Sequence, residues 1–94
     1  MDTNEFITWL ETHVGTYTYI NLRRKWAIDG VLVKRVIDNP RSHTIFYITE
    51  MLDRGLKPRY TIEFVGYNGL LGRLSEHMQY ITEDKAVTAL SAYL

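Results

Sequence analysis

The chain of 94 residues contains no cysteine, which excludes a disulfide framework and every thiolate metal site. It also lacks any segment near the roughly 18 apolar residues that a membrane span requires. The first fifteen residues hold no lysine, no arginine and no long apolar run, which argues against a signal or transit peptide. These absences predict a cytoplasmic protein with no membrane partner.

Motifs for catalysis and cofactor binding are also missing. His13, His43 and His77 lie far apart, without a carboxylate at a spacing that would complete a metal site. No glycine-rich phosphate loop precedes Lys-Ser or Lys-Thr, and no serine lies in a nucleophile elbow. The sequence therefore predicts no enzymatic activity, no metal and no cofactor.

What the chain does contain is ample apolar material and an uneven charge distribution. Hydrophobic residues make up 46% of the sequence, enough for one core, so residues 1–94 are expected to form a single domain. The formal net charge is zero, yet residues 23–59 hold nine bases against four acids. The flanking stretches 1–22 and 60–94 are acidic. This division predicts one positive face.

Helical periodicity is clearest at the two ends of the chain. Phe6 and Leu10 recur at helical spacing and predict an amphipathic helix over residues 3–14. Thr82 is expected to cap a closing helix, with acids in its first turn. The apolar stripe over residues 82–94 is a candidate seam for a homodimer.

One segment alternates as a strand does. In residues 59–65, Ile62 and Phe64 share one face and Glu63 the other, which predicts a half-buried strand. Residues 66–69 form a glycine-rich turn cluster, and residues 77–81 are expected to pair with the strand as a two-stranded hairpin.

Residues 42–55 carry two conflicting signals. Ile45 and Ile48 fall at helical spacing, and Ser42 and Gly55 stand at cap positions. The β-branched and aromatic residues of the same segment favour a strand. The caps favour a helix.

The stretch 18–38 likewise permits two interpretations. In the first, two short helices cross at a tight turn, with apolar residues spaced for burial and a small residue at the turn. These positions are Leu22, Trp26, Ala27, Ile28, Val33 and Val36. This spacing resembles the helix-turn-helix of DNA-binding proteins.

In the second interpretation, Asp29-Gly30 is the turn of a β-hairpin. That pairing would set Lys25 directly opposite Lys34, with another like-charged pair beside it. Each such pair is unfavourable by about 0.2–1 kcal/mol, so the helix-turn-helix is favoured.

The succession of elements is similar to that of small winged-helix DNA-binding regulators. The resemblance implies an α+β fold: a helix-turn-helix, a further helix, a two-stranded β-hairpin and a C-terminal helix. It also implies binding of double-stranded DNA as a transcriptional or replication regulator. The expected DNA-binding residues are Gly30, Val31, Leu32, Lys34 and Arg35 on the second helix, with Arg23, Arg24, Lys25, Arg41, Arg54, Lys57 and Arg59 around it.

A protein-interaction module is the alternative function. It would be a small inhibitor or adaptor, of the kind that phages and other mobile elements encode, and would bind a protein partner through a surface rich in tyrosine and tryptophan. The neutral net charge suits this function better than it suits DNA binding.

Overall fold

The computed structural model describes residues 1–13, 31–51, 59–74 and 80–94. Their elements, in chain order, are α1 (Thr3–His13), β1 (Val31–Asn39), a 3₁₀ helix (Pro40–Ser42), β2 (Thr44–Met51), β3 (Arg59–Gly66), β4 (Leu71–Arg73) and α2 (Glu83–Ser91). The strands of these ranges form one four-stranded antiparallel sheet in the order β1-β2-β3-β4. No helix in these ranges is long and apolar enough to cross a membrane.

The sheet is the middle layer of three, because each helix covers one of its faces. The buried residues on the α1 side are Phe6, Leu10, Val36, Ile45, Tyr47 and Val65. Those on the α2 side are Phe46, Ile48, Ile62, Ala86 and Leu90. Successive residues of β2 alternate between the two clusters, as the two-residue period of a strand requires.

The helix predicted over residues 3–14 is confirmed as α1. The Asp2 side chain caps it by accepting a hydrogen bond from the amide of Glu5 at 2.8 Å. Phe6 and Leu10 are fully buried against the sheet. Each buried side chain of this size contributes about 1.5–3 kcal/mol relative to exposure, so packing on the sheet holds α1 in place.

The closing helix is likewise confirmed, as α2. Its N-cap is Thr82, whose hydroxyl oxygen accepts a hydrogen bond from the amide of Lys85 at 3.2 Å. Ala86 and Leu90 are buried against the sheet of the same chain. Part of the stripe predicted as a homodimer seam therefore packs inside the protomer.

The winged-helix fold is wrong. Residues 31–39, predicted to hold the second helix of the helix-turn-helix, form β1, and the helix predicted over residues 42–55 is replaced by β2. The first helix of the predicted helix-turn-helix falls on residues outside the described ranges, as do the turn and first strand of the alternative hairpin at Asp29-Gly30. The predicted two-stranded hairpin is replaced by the four-stranded sheet.

A bulge explains the misleading helical spacing in β1. Its register against β2 shifts between Val33 and Arg35, so that Lys34 is the extra residue. Val33 and Val36 consequently pack in the same cluster although they are three residues apart. In a regular strand, residues three apart point to opposite faces.

The strand predicted over residues 59–65 is confirmed as β3, but its description as half-buried is wrong. Thr61 and Glu63 are 2% and 4% exposed, so the strand is buried on both faces. It pairs with β2 and β4. Of its predicted partner segment, Tyr80 forms an isolated antiparallel bridge with Tyr60.

Candidate functional site

Two turns meet at one end of the sheet and enclose a groove. The β1–β2 turn contains the 3₁₀ helix and His43, and residues 66–70 form the β3–β4 turn. The amide of Tyr67 donates a hydrogen bond to the carbonyl oxygen of His43 at 2.8 Å, which ties the turns together. The open groove between them has a volume of about 580 Å³. Its lining residues are Ser42, His43, Thr44, Phe64, Gly66, Tyr67, Asn68 and Leu70.

The β1–β2 turn is shaped by local sequence. The side chain of Asn39 accepts a hydrogen bond from the amide of Arg41 at 3.2 Å, and Pro40 begins the 3₁₀ helix. His43 follows with a φ of 50°, a left-handed conformation that a residue other than glycine adopts only with local support. That conformation reverses the chain into β2 and places the imidazole at the groove.

Tyr67 is the central side chain of the site. Its ring centroid lies 5.8 Å from that of Trp9 and 5.6 Å from that of His43, both within the range of aromatic pairs. Its hydroxyl donates a hydrogen bond to Asp38 at 2.5 Å. This hydrogen bond raises the pKa of the Tyr67 phenol, with smaller contributions from desolvation and the Asp38 charge. Tyr67 therefore presents a fixed, uncharged aromatic ring to the groove.

The β3–β4 turn places a leucine at the rim of the groove. The amide of Gly69, whose φ is 89°, donates to the carbonyl oxygen of Gly66 at 2.8 Å. The side-chain oxygen of Asn68 accepts a hydrogen bond from the amide of Leu70 at 3.0 Å. Leu70 is 66% exposed and contributes to the lining of the groove.

Phe64 links the groove to β4. Its ring lies across Gly72, so closely that a Cβ atom on Gly72 would stand 2.2 Å from Phe64 Cζ. Gly72 and Phe64 are paired in the β3–β4 ladder. The absence of a side chain at position 72 is what lets the ring lie there.

The residues predicted to read DNA occupy a different structure from the one expected. Lys34 and Arg35 lie on β1, and each pairs with an acid: Lys34 Nζ with Glu50 at 3.2 Å, and Arg35 Nε with Glu83 at 3.4 Å. The hydrogen bond to Glu50 raises the pKa of the Lys34 ammonium group. No recognition helix carries these two cations.

The remaining predicted site residues that the structure describes lie on separate elements. Val31 and Leu32 lie on β1, where their backbones pair with Met51 and Glu50 of β2. Arg41 is exposed in the β1–β2 turn, and Arg59 is exposed at the start of β3. The others fall outside the described ranges: Arg23, Arg24, Lys25, Gly30, Arg54 and Lys57.

A second polar cluster lies on the α1 side of the sheet. Arg73 Nη2 is 3.1 Å from a carboxylate oxygen of Glu63. Burial raises the pKa of Tyr47 far above its ordinary value, and the nearby Glu63 carboxylate, on the paired strand, adds to the shift. The Thr49 and Thr61 hydroxyls are 2.6 Å apart on the same face. These contacts satisfy buried polar groups and are structural.

The groove was not predicted from the sequence, although one of its turns was. The turn over residues 66–69 is confirmed, and Asn39-Pro40 is a turn signal between two apolar runs that could have predicted the β1–β2 hairpin.

Within the described ranges, no group of histidine, aspartate and glutamate could hold a metal ion. Comparisons with models of protein families, with curated proteins and with solved structures find no match.

Proposed function

We propose that the protein is a small interaction module that binds a protein partner through the groove at the end of its sheet. The observation that carries the proposal is the groove itself, in which Phe64, His43 and Tyr67 surround an open space beside the exposed Leu70. Aromatic side chains with a polar tip are enriched at the cores of protein interfaces.

The rigidity of the site supports this function. Tyr67 contacts rings on both sides and is hydrogen-bonded to Asp38, so its rotamer is set before a partner arrives. A binding surface that is already ordered loses less conformational entropy on association. An apolar side chain of the partner, inserted beside Phe64 and Leu70, is the expected anchor.

The charge distribution favours a protein partner over DNA. Lys34, Arg35 and Arg73 each pair with an acid of the same chain, and the formal net charge is zero. Non-specific DNA affinity comes from lysines and arginines that neutralise phosphates and release counterions. Cations already paired with carboxylates supply less of that energy.

Site-specific photo-crosslinking tests the proposal. A photoreactive residue replaces Leu70 in one variant and Thr88, exposed on α2, in a matched control. We expect irradiation in the cells that make the protein to join one polypeptide to position 70 and none to position 88. Equal products at both positions, or none at position 70, would contradict the proposal.

Affinity for the purified crosslinked protein provides the quantitative test. Tyr67→Ala should weaken binding about tenfold or more, because it removes the central wall of the groove. Tyr93→Ala is the control, since Tyr93 is 57% exposed and is not among the residues lining the groove. Equal losses in the two variants would reject the groove as the binding site.

A salt series with random-sequence duplex DNA distinguishes the alternative function. Fluorescence anisotropy at about 50 mM salt should detect little binding if the proposal is right. Tight, salt-dependent binding that Lys34→Gln and Arg35→Gln weaken would replace it with DNA binding by β1.

A further inference from the structure

β4 is an edge strand of the sheet that the described ranges form. At the two ends of its pairing with β3, the carbonyl oxygen of Leu70 accepts a hydrogen bond at 2.8 Å and the amide of Leu74 donates one at 3.1 Å. Alternate residues of an antiparallel strand face the same neighbour, so Leu71 and Arg73 direct their N–H and C=O groups away from β3. No strand of the described ranges lies beyond β4.

We propose that this edge pairs with β4 of a second copy of the chain, antiparallel about a two-fold axis at Gly72. Leu71 then lies opposite Arg73 of the other copy. The outward N–H of each residue donates a hydrogen bond to the outward C=O of the other. The two Gly72 residues face each other in the non-hydrogen-bonded position, where Cα atoms approach to about 4.5 Å. Gly72 has no side chain of its own at this point of closest approach.

Charge and apolar surface favour a second copy as the occupant. Leu71 and Leu70 are 36% and 66% exposed, and the pairing covers apolar surface at this edge. Arg73 is compensated by Glu63 at 3.1 Å, and in this register it faces Leu71 rather than the second Arg73. Self-pairing therefore brings no like charges directly opposite each other.

In the part of the sheet that the structure describes, the other edge strand is β1, and it carries two features that oppose such pairing. The bulge in β1 at Lys34 interrupts the regular row of main-chain groups, and Lys34 and Arg35 are exposed beside it. Bulges and edge cations are established devices against strand addition. By contrast, the pairing of β4 with β3 shows no bulge, and the protection of β4 is its short length of three residues.

The short strand makes the association weak. The pairing surface lies at the low end of the sizes found for protein interfaces, so dimers form only at high protein concentration. This inference is independent of the proposed function, because it requires no ligand in the groove.

Sedimentation equilibrium of the full chain from about 10 µM to about 1 mM tests the inference. Leu71→Glu should tighten the dimer by about two- to thirtyfold, because the new carboxylate faces Arg73 of the other copy twice per dimer. Leu71→Lys should weaken it by a similar factor. Leu70→Glu is the matched control and should not tighten it, because the backbone of Leu70 bonds to β3.

Opposite responses of the two Leu71 variants are the decisive result. Equal weakening by both would show an unspecific apolar contact and overturn the strand pairing, as would a monomer at every concentration in both the unaltered chain and Leu71→Glu. Amide hydrogen exchange of the unaltered chain needs no substitution. The Leu71 and Arg73 amides should gain protection as concentration rises, and unchanged exchange at about 1 mM would also overturn the proposal.

Discussion

Arg73 and Glu63 stand directly opposite each other on neighbouring strands, and their side chains form an ion pair of 3.1 Å. The Glu63 side chain is nearly inaccessible to solvent, whereas the Arg73 side chain is 35% exposed. Tyr47, on β2, is the register partner of Glu63, and this carboxylate also helps to raise the pKa of the Tyr47 phenol. A single buried acid thus lies between residues of the two strands that flank β3.

Removing the arginine should cost more stability than neutralising the acid. Arg73→Met is expected to lower the free energy of unfolding by about 1–3 kcal/mol, because the buried Glu63 carboxylate loses its guanidinium partner. Glu63→Gln should cost less than about 1 kcal/mol, because Arg73 can turn toward solvent. Urea denaturation measures both. Arg41→Met, at an exposed turn position, is the control, and a larger loss in Glu63→Gln than in Arg73→Met would contradict the prediction.

Tyr47 should make the fold sensitive to alkali. Its native pKa is raised above the unfolded value of 10.0, so the neutral phenol contributes stability that is fully present below pH 10 and lost as the pH rises. The contribution falls by about 1.4 kcal/mol per pH unit above that point. The free energy of unfolding, measured with denaturant between pH 9 and pH 12, should therefore fall less steeply with pH in Tyr47→Phe than in the unaltered chain. The exposed Tyr93→Phe is the control and should keep the slope of the unaltered chain.

Gly72 and Phe64 should show strong energetic coupling. Gly72→Ala is expected to destabilise the protein by about 1–3 kcal/mol, since the new methyl group collides with the Phe64 ring. In a Phe64→Ala background the same change should be nearly neutral, because the colliding ring is gone. A double-mutant cycle by thermal or urea unfolding measures the difference. Equal costs of Gly72→Ala in the two backgrounds would show that the ring contact is unimportant.

The two threonines of the α2 region should respond differently to alanine. Thr82→Ala removes the cap that accepts the amide of Lys85 and should cost about 1 kcal/mol. The hydroxyl of Thr88 donates to the Asp84 carbonyl oxygen within the helix, so Thr88→Ala should be neutral or slightly stabilising. Urea unfolding compares them. A greater loss at position 88 would show that the cap is not what holds the start of α2.

The sequence predicted the elements whose signals are local. Phe6 and Leu10 mark the first helix by their spacing, Thr82 marks the start of the last helix by short-range capping, and the alternation in β3 is uninterrupted. The prediction of the fold failed where the apolar spacing depended on pairing with the neighbouring strand. The bulge at Lys34 aligns Val33 with Val36, a spacing that a helix also produces.

The misassignment of β2 has a different cause. Ile45 and Ile48 are three residues apart and lie on opposite faces, one beneath each helix. A strand buried on both sides has no polar face, so periodicity cannot distinguish it from a buried helix. The groove was missed because His43 and Tyr67, 24 positions apart, meet only when the two turns are brought together by the sheet.

The placement of one helix on each face of the sheet has a consequence for synthesis on the ribosome. The face beneath α1 can be covered as soon as β3 has emerged, because its helix precedes the strands in the chain. The opposite face must wait for Ala86 and Leu90, which are translated after every strand. At about 5–20 residues per second this interval is brief, but a nascent chain that stalls before residue 86 exposes Phe46, Ile48 and Ile62 together. Such a stalled chain is the species on which chaperones would be expected to act.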